Sequence, residues 1–329
     1  MLNIAQIGVG YWGPNLLRNL VENSRCKVKT VADLSAERRK FVQKHYPWIS
    51  PIDETDRIFN DPAIDAVVIA TPADSHFGLV MNALDAGKHV LVEKPMARTM
   101  REVEEIARKA EETKLVAMVG HTFLYNSAVR YLKQYIESGE LGEVLYIYSQ
   151  RLNLGRIRSD VNALWNLAPH DVSIVQYLLG NPVPVSVTSY GMDYIQKDIT
   201  DVVFMNIVYP GKIMANIHVS WLDPHKIRKT TVVGSRRMVV YDDVADDKIA
   251  IYDKGIDEVA ELGKNMDYDN LPVFKLNYRS GDLVYPKIKF DEPLKVEVDH
   301  FLDCIEKKTP CLTGPDHAIN VVKILAGEI

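Results

Sequence analysis

The run Gly8-Val9-Gly10-Tyr11-Trp12-Gly13, placed directly behind the apolar residues 4–7 and ahead of Pro14, constrains the fold more than any other feature of the chain. Between a strand and a helix, such a run permits a tight turn at Gly8. It lets the backbone approach a pyrophosphate at Gly10 and allows close helix-to-strand packing at Gly13. Pro14 suits the first turn of a helix, where a backbone N–H has no intrahelical partner, and the helix N-terminus then faces the phosphates. Asp33 lies 20 residues beyond Gly13, at the end of the next apolar run. A carboxylate there accepts hydrogen bonds from ribose hydroxyls. Dinucleotide binding is therefore expected over Gly8, Gly10, Tyr11, Trp12, Gly13 and Asp33. Asp33 repels the 2′-phosphate of NADP, which makes NAD the expected cofactor, while Arg38 and Arg39 leave NADP open.

The sequence around this turn predicts a parallel sheet. Apolar runs at residues 4–7, 28–32, 66–70, 90–92 and 116–119 alternate with helical periodicity, and their Val, Ile and Ala content suits strands covered on both faces. Thr99 and Glu102 form a capping box opening one of the helices, and Gly87 closes the helix before it. After Tyr125 the texture changes. Residues 144–149, 185–190, 202–209, 213–221, 230–233 and 238–241 read as strands of a largely antiparallel sheet. A helix over residues 169–179 interrupts them, and helical stretches at 296–307 and from His317 close the chain. The expected class is thus α/β, a Rossmann doubly wound parallel sheet, followed by an α+β domain with a large, open-faced, mainly antiparallel sheet. Residues 1–122 form the NAD-binding domain and 123–329 a substrate-binding and oligomerisation domain. Tyr146, Tyr148, Tyr190, Tyr194 and Trp221 leave one sheet face needing cover, which points to a homodimer or homotetramer through that sheet.

A chain of 329 residues with 47% apolar content suits two globular domains. Its net charge of -5 and dispersed Lys and Arg exclude a nucleic-acid footprint. No run approaches the roughly 18 apolar residues of a membrane span, and no leader precedes the first strand, so no membrane partner and a cytoplasmic location are expected. Cys26, Cys304 and Cys311 are odd in number and lack metal-site spacing. They read as free thiols, and no metal is expected.

Thr71-Pro72 and Glu93-Lys94-Pro95 end two of the strand runs, where ligands bind in open α/β sheets. Shielded there from water, Lys94 can exchange a proton with a substrate hydroxyl; the same position also suits a surface cation paired with Glu93. His121 lines the cofactor cleft or is a satisfied polar group. Arg151, Arg156 and Arg158 offer forked donors for a phosphate or carboxylate, or they form a solvated strand edge. Asp171 is expected to cap its helix.

Together, Gly8 to Gly13, Ala70-Thr71-Pro72 with His76, Glu93-Lys94-Pro95 and Gly120-His121 resemble the Gfo/Idh/MocA oxidoreductases over essentially the whole chain. The resemblance implies that Lys94 is catalytic and that Pro95 shapes the nicotinamide pocket. It makes His170, in Trp165-Asn166-Leu167-Ala168-Pro169-His170, the second catalytic residue, with Asn166 standing where that family usually has Asp. The segments from Trp165 and from Ser220 are similar to those of members acting on nucleotide sugars. They imply hydride transfer between NAD and the 3-hydroxyl of a UDP-N-acetylhexosamine or its uronate. The alternatives are a free-polyol dehydrogenase such as one for inositol, a ketosugar reductase, or an NAD- and sugar-binding sensor impaired by Asn166.

Overall fold

The computed structural model describes residues 1–155, 157–260 and 274–328. Strands β1 (Leu2–Ile7), β2 (Cys26–Ala32), β3 (Ser50–Ile52), β4 (Ala66–Ile69), β5 (His89–Glu93) and β6 (Ala117–Gly120) form one sheet in the order β3-β2-β1-β4-β5-β6. Every pairing in it is parallel. All four residues of β4 are buried, as strands covered on both faces require. Between the strands run α1 (Gly13–Glu22), α2 (Ala36–His45), α3 (Asp56–Phe59), α4 (His76–Asp85) and α5 (Met100–Thr113). Helix α5 opens on the expected capping box, with Thr99 accepting from the Glu102 amide and Glu102 from the Thr99 amide. Strand order reverses between β1 and β4, and ligands bind beyond the carboxyl ends of the strands at such a switch point. Gly8, Asp33, Thr71, Lys94 and His121 all sit immediately past those ends.

After α6 (Ser127–Glu137) comes the second sheet. Its strands are β7 (Val144–Leu154), β8 (Ser186–Met192), β9 (Val202–Tyr209), β10 (Ile213–Ser220), β11 (Leu222–Gly234), β12 (Met238–Asp242), β13 (Ile249–Ala260) and β14 (Phe274–Val284). They lie in the order β14-β13-β12-β11-β7-β10-β9-β8, antiparallel except for the β7/β10 pair. Strict alternation separates two faces. Ile147, Met205, Ile207, Ala215 and Ile217 are buried on the side where α7 (Ala163–Leu179) packs. Tyr146, Tyr148, Phe204, Val208 and Met214 are exposed on the other, and there Met214 stands opposite both Tyr146 and Val208.

The helices α8 (Pro293–Glu306) and α9 (Pro315–Ala326) follow. The expected boundary after residue 122 is displaced. One unit comprises residues 1–126 together with 291–328, and the second comprises 127–290. Two packing facts explain the change. Leu124 and Tyr125 are buried, extending the first unit past the last strand. Val298, Phe301 and Leu302 bury the apolar stripe of α8, which packs on α1 and the turn at 122–125, while α9 packs on α5 and β6. Strands β3, β13 and β14 were not anticipated: β3 is three residues long and holds Pro51, while Asp253 and Lys254 in β13 and Arg279 and Asp282 in β14 mask any apolar run. Helix α7 begins at Ala163, well before the expected start at Pro169. Asn162 caps it, accepting from the Trp165 amide at 3.0 Å, and Pro169 is accommodated inside the helix.

Candidate functional site

In the first unit the glycine turn is held by contacts that only glycine allows. Gly8 has φ +92°, and a Cβ there would lie 2.5 Å from the Ala70 carbonyl oxygen. A Cβ on Gly13 would lie 2.5 Å from the Gly8 oxygen, so α1 starts hard against the turn. Gln6, buried at the end of β1, closes the turn from beneath by donating to the Gly8 and Gly13 carbonyls at 2.8 and 2.9 Å. Asp33 accepts from the Val9 amide and from the Ser35 amide, each at 2.8 Å, which fixes its carboxylate beside the turn.

This cradle fits a dinucleotide. Around Gly10 there is open space, no side chain caps the N-terminus of α1, and no acidic residue lies in its first turn. The turn at Gly8 to Gly13 would hold the pyrophosphate and Asp33 the ribose. Tyr11, at 91% exposure, is almost fully in solvent beside the turn.

At the ends of β4, β5 and β6 a second group of side chains meets around Lys94. His76 is buried, its Nδ1 2.7 Å from the Pro95 oxygen and its Nε2 2.9 Å from the Thr71 oxygen. The ring therefore ties the loop after β4, which continues through Pro72 and the Thr71–Ser75 hydroxyl pair, to the loop after β5. Burial, the largest influence, holds its pKa below the ordinary histidine value. His121 is also buried, with Nδ1 2.9 Å from Nε2 of His317 in α9. Burial, His317 and the Lys94 charge hold His121 well below the ordinary value, and burial pushes His317 down to about 4. Both imidazoles are neutral at pH 7.

The Glu93 carboxyl lies against Gly120 and accepts from the Trp12 indole. Burial pushes its pKa up to about 7, against the pull of the Lys94 ammonium. Facing it is Glu297 of α8, fully buried, whose Oε2 accepts from the Thr122 hydroxyl at 2.9 Å. Burial and the neighbouring Glu93 hold the Glu297 carboxyl well above the usual range. Lys94 thus sits among buried imidazoles and the carboxyls of Glu93 and Glu297, whose burial opposes their ionisation.

In the second unit, Trp165, Asn166 and His170 lie on α7. Because the helix has begun by Ala163, Asn166 and His170 are four residues apart on one face. The Asn166 amide oxygen accepts a long bond, 3.4 Å, from the Trp221 indole. Two expectations are corrected here. Arg151, at 4% exposure, is no open anion receptor: its Nε lies 2.6 Å from Asp171 Oδ2 and its Nη2 3.4 Å from Oδ1. Asp171 does not cap α7, since it lies in the helix interior, where it also accepts from the Ser149 hydroxyl at 2.7 Å. Arg158 is exposed and paired with Asp160, and Arg156 lies outside the described residues.

Gln6, Thr122, Glu297 and His317 were not singled out from the sequence, although signals existed. Gln6 interrupts an apolar strand two residues before the glycine turn. Glu297 falls at helical spacing on the stripe of Leu294, Val298 and Phe301, and His317 precedes Val321 by four residues.

Comparison with known proteins gives a consistent picture. Residues 2–121 match the oxidoreductase family with an NAD-binding Rossmann fold, and residues 129–240 match the GFO/IDH/MocA C-terminal domain. The scyllo-inositol 2-dehydrogenase (NAD(+)) of Bacillus subtilis is 25% identical over 333 residues, 96% of this chain and 90% of that protein. Other curated relatives match over about half to three-fifths of their own length, 56% and 61% in two cases. Among solved structures, a protein from Magnetospirillum magnetotacticum MS-1 superposes with TM-score 0.83 at 26% identity, covering 99% of both chains. The UDP-N-acetylglucosamine 3-dehydrogenase GnnA of Acidithiobacillus ferrooxidans has TM-score 0.79 at 23% identity, over 99% of this chain and 95% of that one. Among the described residues, no helix is long and apolar enough to cross a membrane.

Proposed function

The chain belongs to the GFO/IDH/MocA family of NAD-binding oxidoreductases, and from that premise we propose that it interconverts a secondary alcohol and a ketone on a sugar or cyclic polyol. The placement of Lys94 just past β5, among His76, His121 and Glu93 and in the same unit as the glycine turn, carries this reading. Bound NAD supplies the hydride acceptor. Lys94 takes the hydroxyl proton, and for His170 of the second unit an acid-base role is what the family resemblance implies. His76 holds the loop after β4 in register with the loop that carries Lys94 and Pro95. NAD is favoured over NADP because Asp33 occupies the ribose end of the cradle. Arg39 is engaged there already, donating to the Asp33 and Leu34 carbonyls and pairing with Asp53.

A free polyol is the better supported substrate class. The nucleotide-sugar reading draws on Arg151, Arg156 and Arg158 and on the segments from Trp165 and from Ser220, and of these Arg151 is committed to a buried pair with Asp171. Likeness over nearly the whole chain extends both to an inositol dehydrogenase and to a UDP-N-acetylglucosamine 3-dehydrogenase. Incubating the protein with NAD and either inositols or UDP-N-acetylhexosamines, and following reduced cofactor by absorbance, separates the two. Turnover of UDP-sugars alone would overturn the polyol reading. Tight NAD and sugar binding without turnover of any alcohol or ketone would favour a sensor.

The bare face of the second sheet, with Tyr146, Tyr148, Phe204 and Met214 exposed, is proposed to pack on a second copy of the chain. Light scattering is expected to give at least twice the chain mass, falling to one chain mass in Tyr148→Glu/Phe204→Glu. A wild-type monomer would refute it.

A further inference from the structure

His300 and Cys304 are four residues apart on α8 and so share a face of that helix. The loop between α8 and α9 brings Cys311 to them. Each of the three offers one ligand atom, and those atoms lie within 4.8 Å of one another. Nothing in the spacing of the cysteines advertises this, because the third partner is a histidine and the loop supplies the closure. We propose that His300, Cys304 and Cys311 bind a thiophilic divalent cation of the zinc class.

Four observations support the assignment. The first is distance. Tetrahedral zinc, at about 2.3 Å from sulfur and about 2.0 Å from nitrogen, sets ligand atoms about 3.5–3.8 Å apart. The Cys304 sulfur is already 3.5 Å from His300 Nε2, so closure needs shifts of about an ångström or less at the remaining edges.

The second is the tautomer. The Leu312 amide donates to His300 Nε2 at 3.0 Å, which marks that nitrogen as the one carrying the lone pair, on the side facing the sulfur. On loading, the lone pair exchanges the Leu312 N–H for the cation, and Cys304 and Cys311 bind as thiolates. Two thiolates then neutralise a dication in a largely buried place.

The third is rigidity. The loop that carries Cys311 is anchored through Thr313, whose carbonyl accepts from the Val119 amide of β6 at 2.9 Å. Its hydroxyl lies 3.2 Å from the Tyr125 hydroxyl. The fourth is access. Cys304 is buried, but His300 and Cys311 are half-buried, which leaves the cluster reachable from solvent. Two sulfur ligands select zinc or cadmium over magnesium or calcium, which prefer oxygen. The site is independent of the proposed reaction, since none of its three residues takes part in the Lys94 group.

Cadmium titration of the reduced full-length protein tests it. The expected result is one Cd²⁺ per chain, with an ultraviolet sulfur-to-cadmium charge-transfer band and protons released to the buffer. Bound cadmium should protect Cys304 and Cys311 from alkylation, as mapped by peptide mass, a readout that needs no variant. Cys311→Ala, at a half-buried loop position, should weaken binding by at least about 100-fold, and Cys26→Ser should leave it unchanged. Absence of the band in excess cadmium, or a band of full intensity in Cys311→Ala, would overturn the assignment.

Discussion

Replacing Lys94 with alanine is expected to lower kcat by about 10²–10⁴-fold, the range for removing a positioned acid-base group, or about 3–5 kcal/mol of barrier. Affinity for NAD should stay within a few-fold of wild type, because the glycine turn, Gln6 and Asp33 are untouched. Steady-state kinetics with a turned-over polyol and direct titration of NAD binding read the two quantities separately. The pH profile adds a sign. Glu93 ionises near pH 7, and once ionised its charge holds the Lys94 proton more tightly. In the oxidation direction Lys94 must be neutral to accept the hydroxyl proton, so the Glu93 charge delays the rise of kcat with pH. Glu93→Gln, which keeps an oxygen for the Trp12 indole, should move that rise to lower pH. Retention of more than about one-tenth of the wild-type rate in Lys94→Ala would return Lys94 to the rank of a surface cation.

The cofactor half of the site was legible in the sequence because its chemistry is local. The turn at Gly8 to Gly13, the strand before it and Asp33 lie within 33 residues, and each is there for a backbone reason that sequence spacing exposes. The capping box of α5 and the alternating faces of β7, β9 and β10 were legible on the same grounds, as short-range patterns. What escaped depends on chain return. Glu297 and His317 meet Thr122 and His121 across 175 and 196 residues, and no periodicity in one helix names its partner. The helices that carry them look like the end of the second domain until their apolar stripes are seen packed on α1 and α5. Arg151 failed for a related reason. An arginine in a β-rich stretch reads equally as an anion receptor or as half of an ion pair, and only the position of Asp171 twenty residues later decides.

Asp171→Asn should destabilise the second unit by about 3–5 kcal/mol, the usual result when one partner of a buried ion pair is removed and the other stays charged. The pair qualifies because Arg151 and Asp171 are both almost fully buried and linked through two nitrogen–oxygen contacts, with the Ser149 hydroxyl donating to the same carboxylate. Asparagine preserves shape and can still accept from Ser149, so the loss isolates the uncompensated guanidinium rather than a cavity. At about 2–4 °C per kcal/mol for a unit of this size, the melting temperature should fall by roughly 6–20 °C. Replacing both partners, Arg151→Met with Asp171→Leu, should recover much of that loss, because no charge is then left in the interior. The competing view, in which Arg151 serves a substrate anion, predicts the opposite pattern. Asp171→Asn would then leave thermal stability within about 1 kcal/mol of wild type and instead lower KM, since the guanidinium would be released to the ligand. Calorimetry beside steady-state kinetics distinguishes the two, and a stable Asp171→Asn protein would restore the arginine to the substrate site and with it the case for a nucleotide sugar.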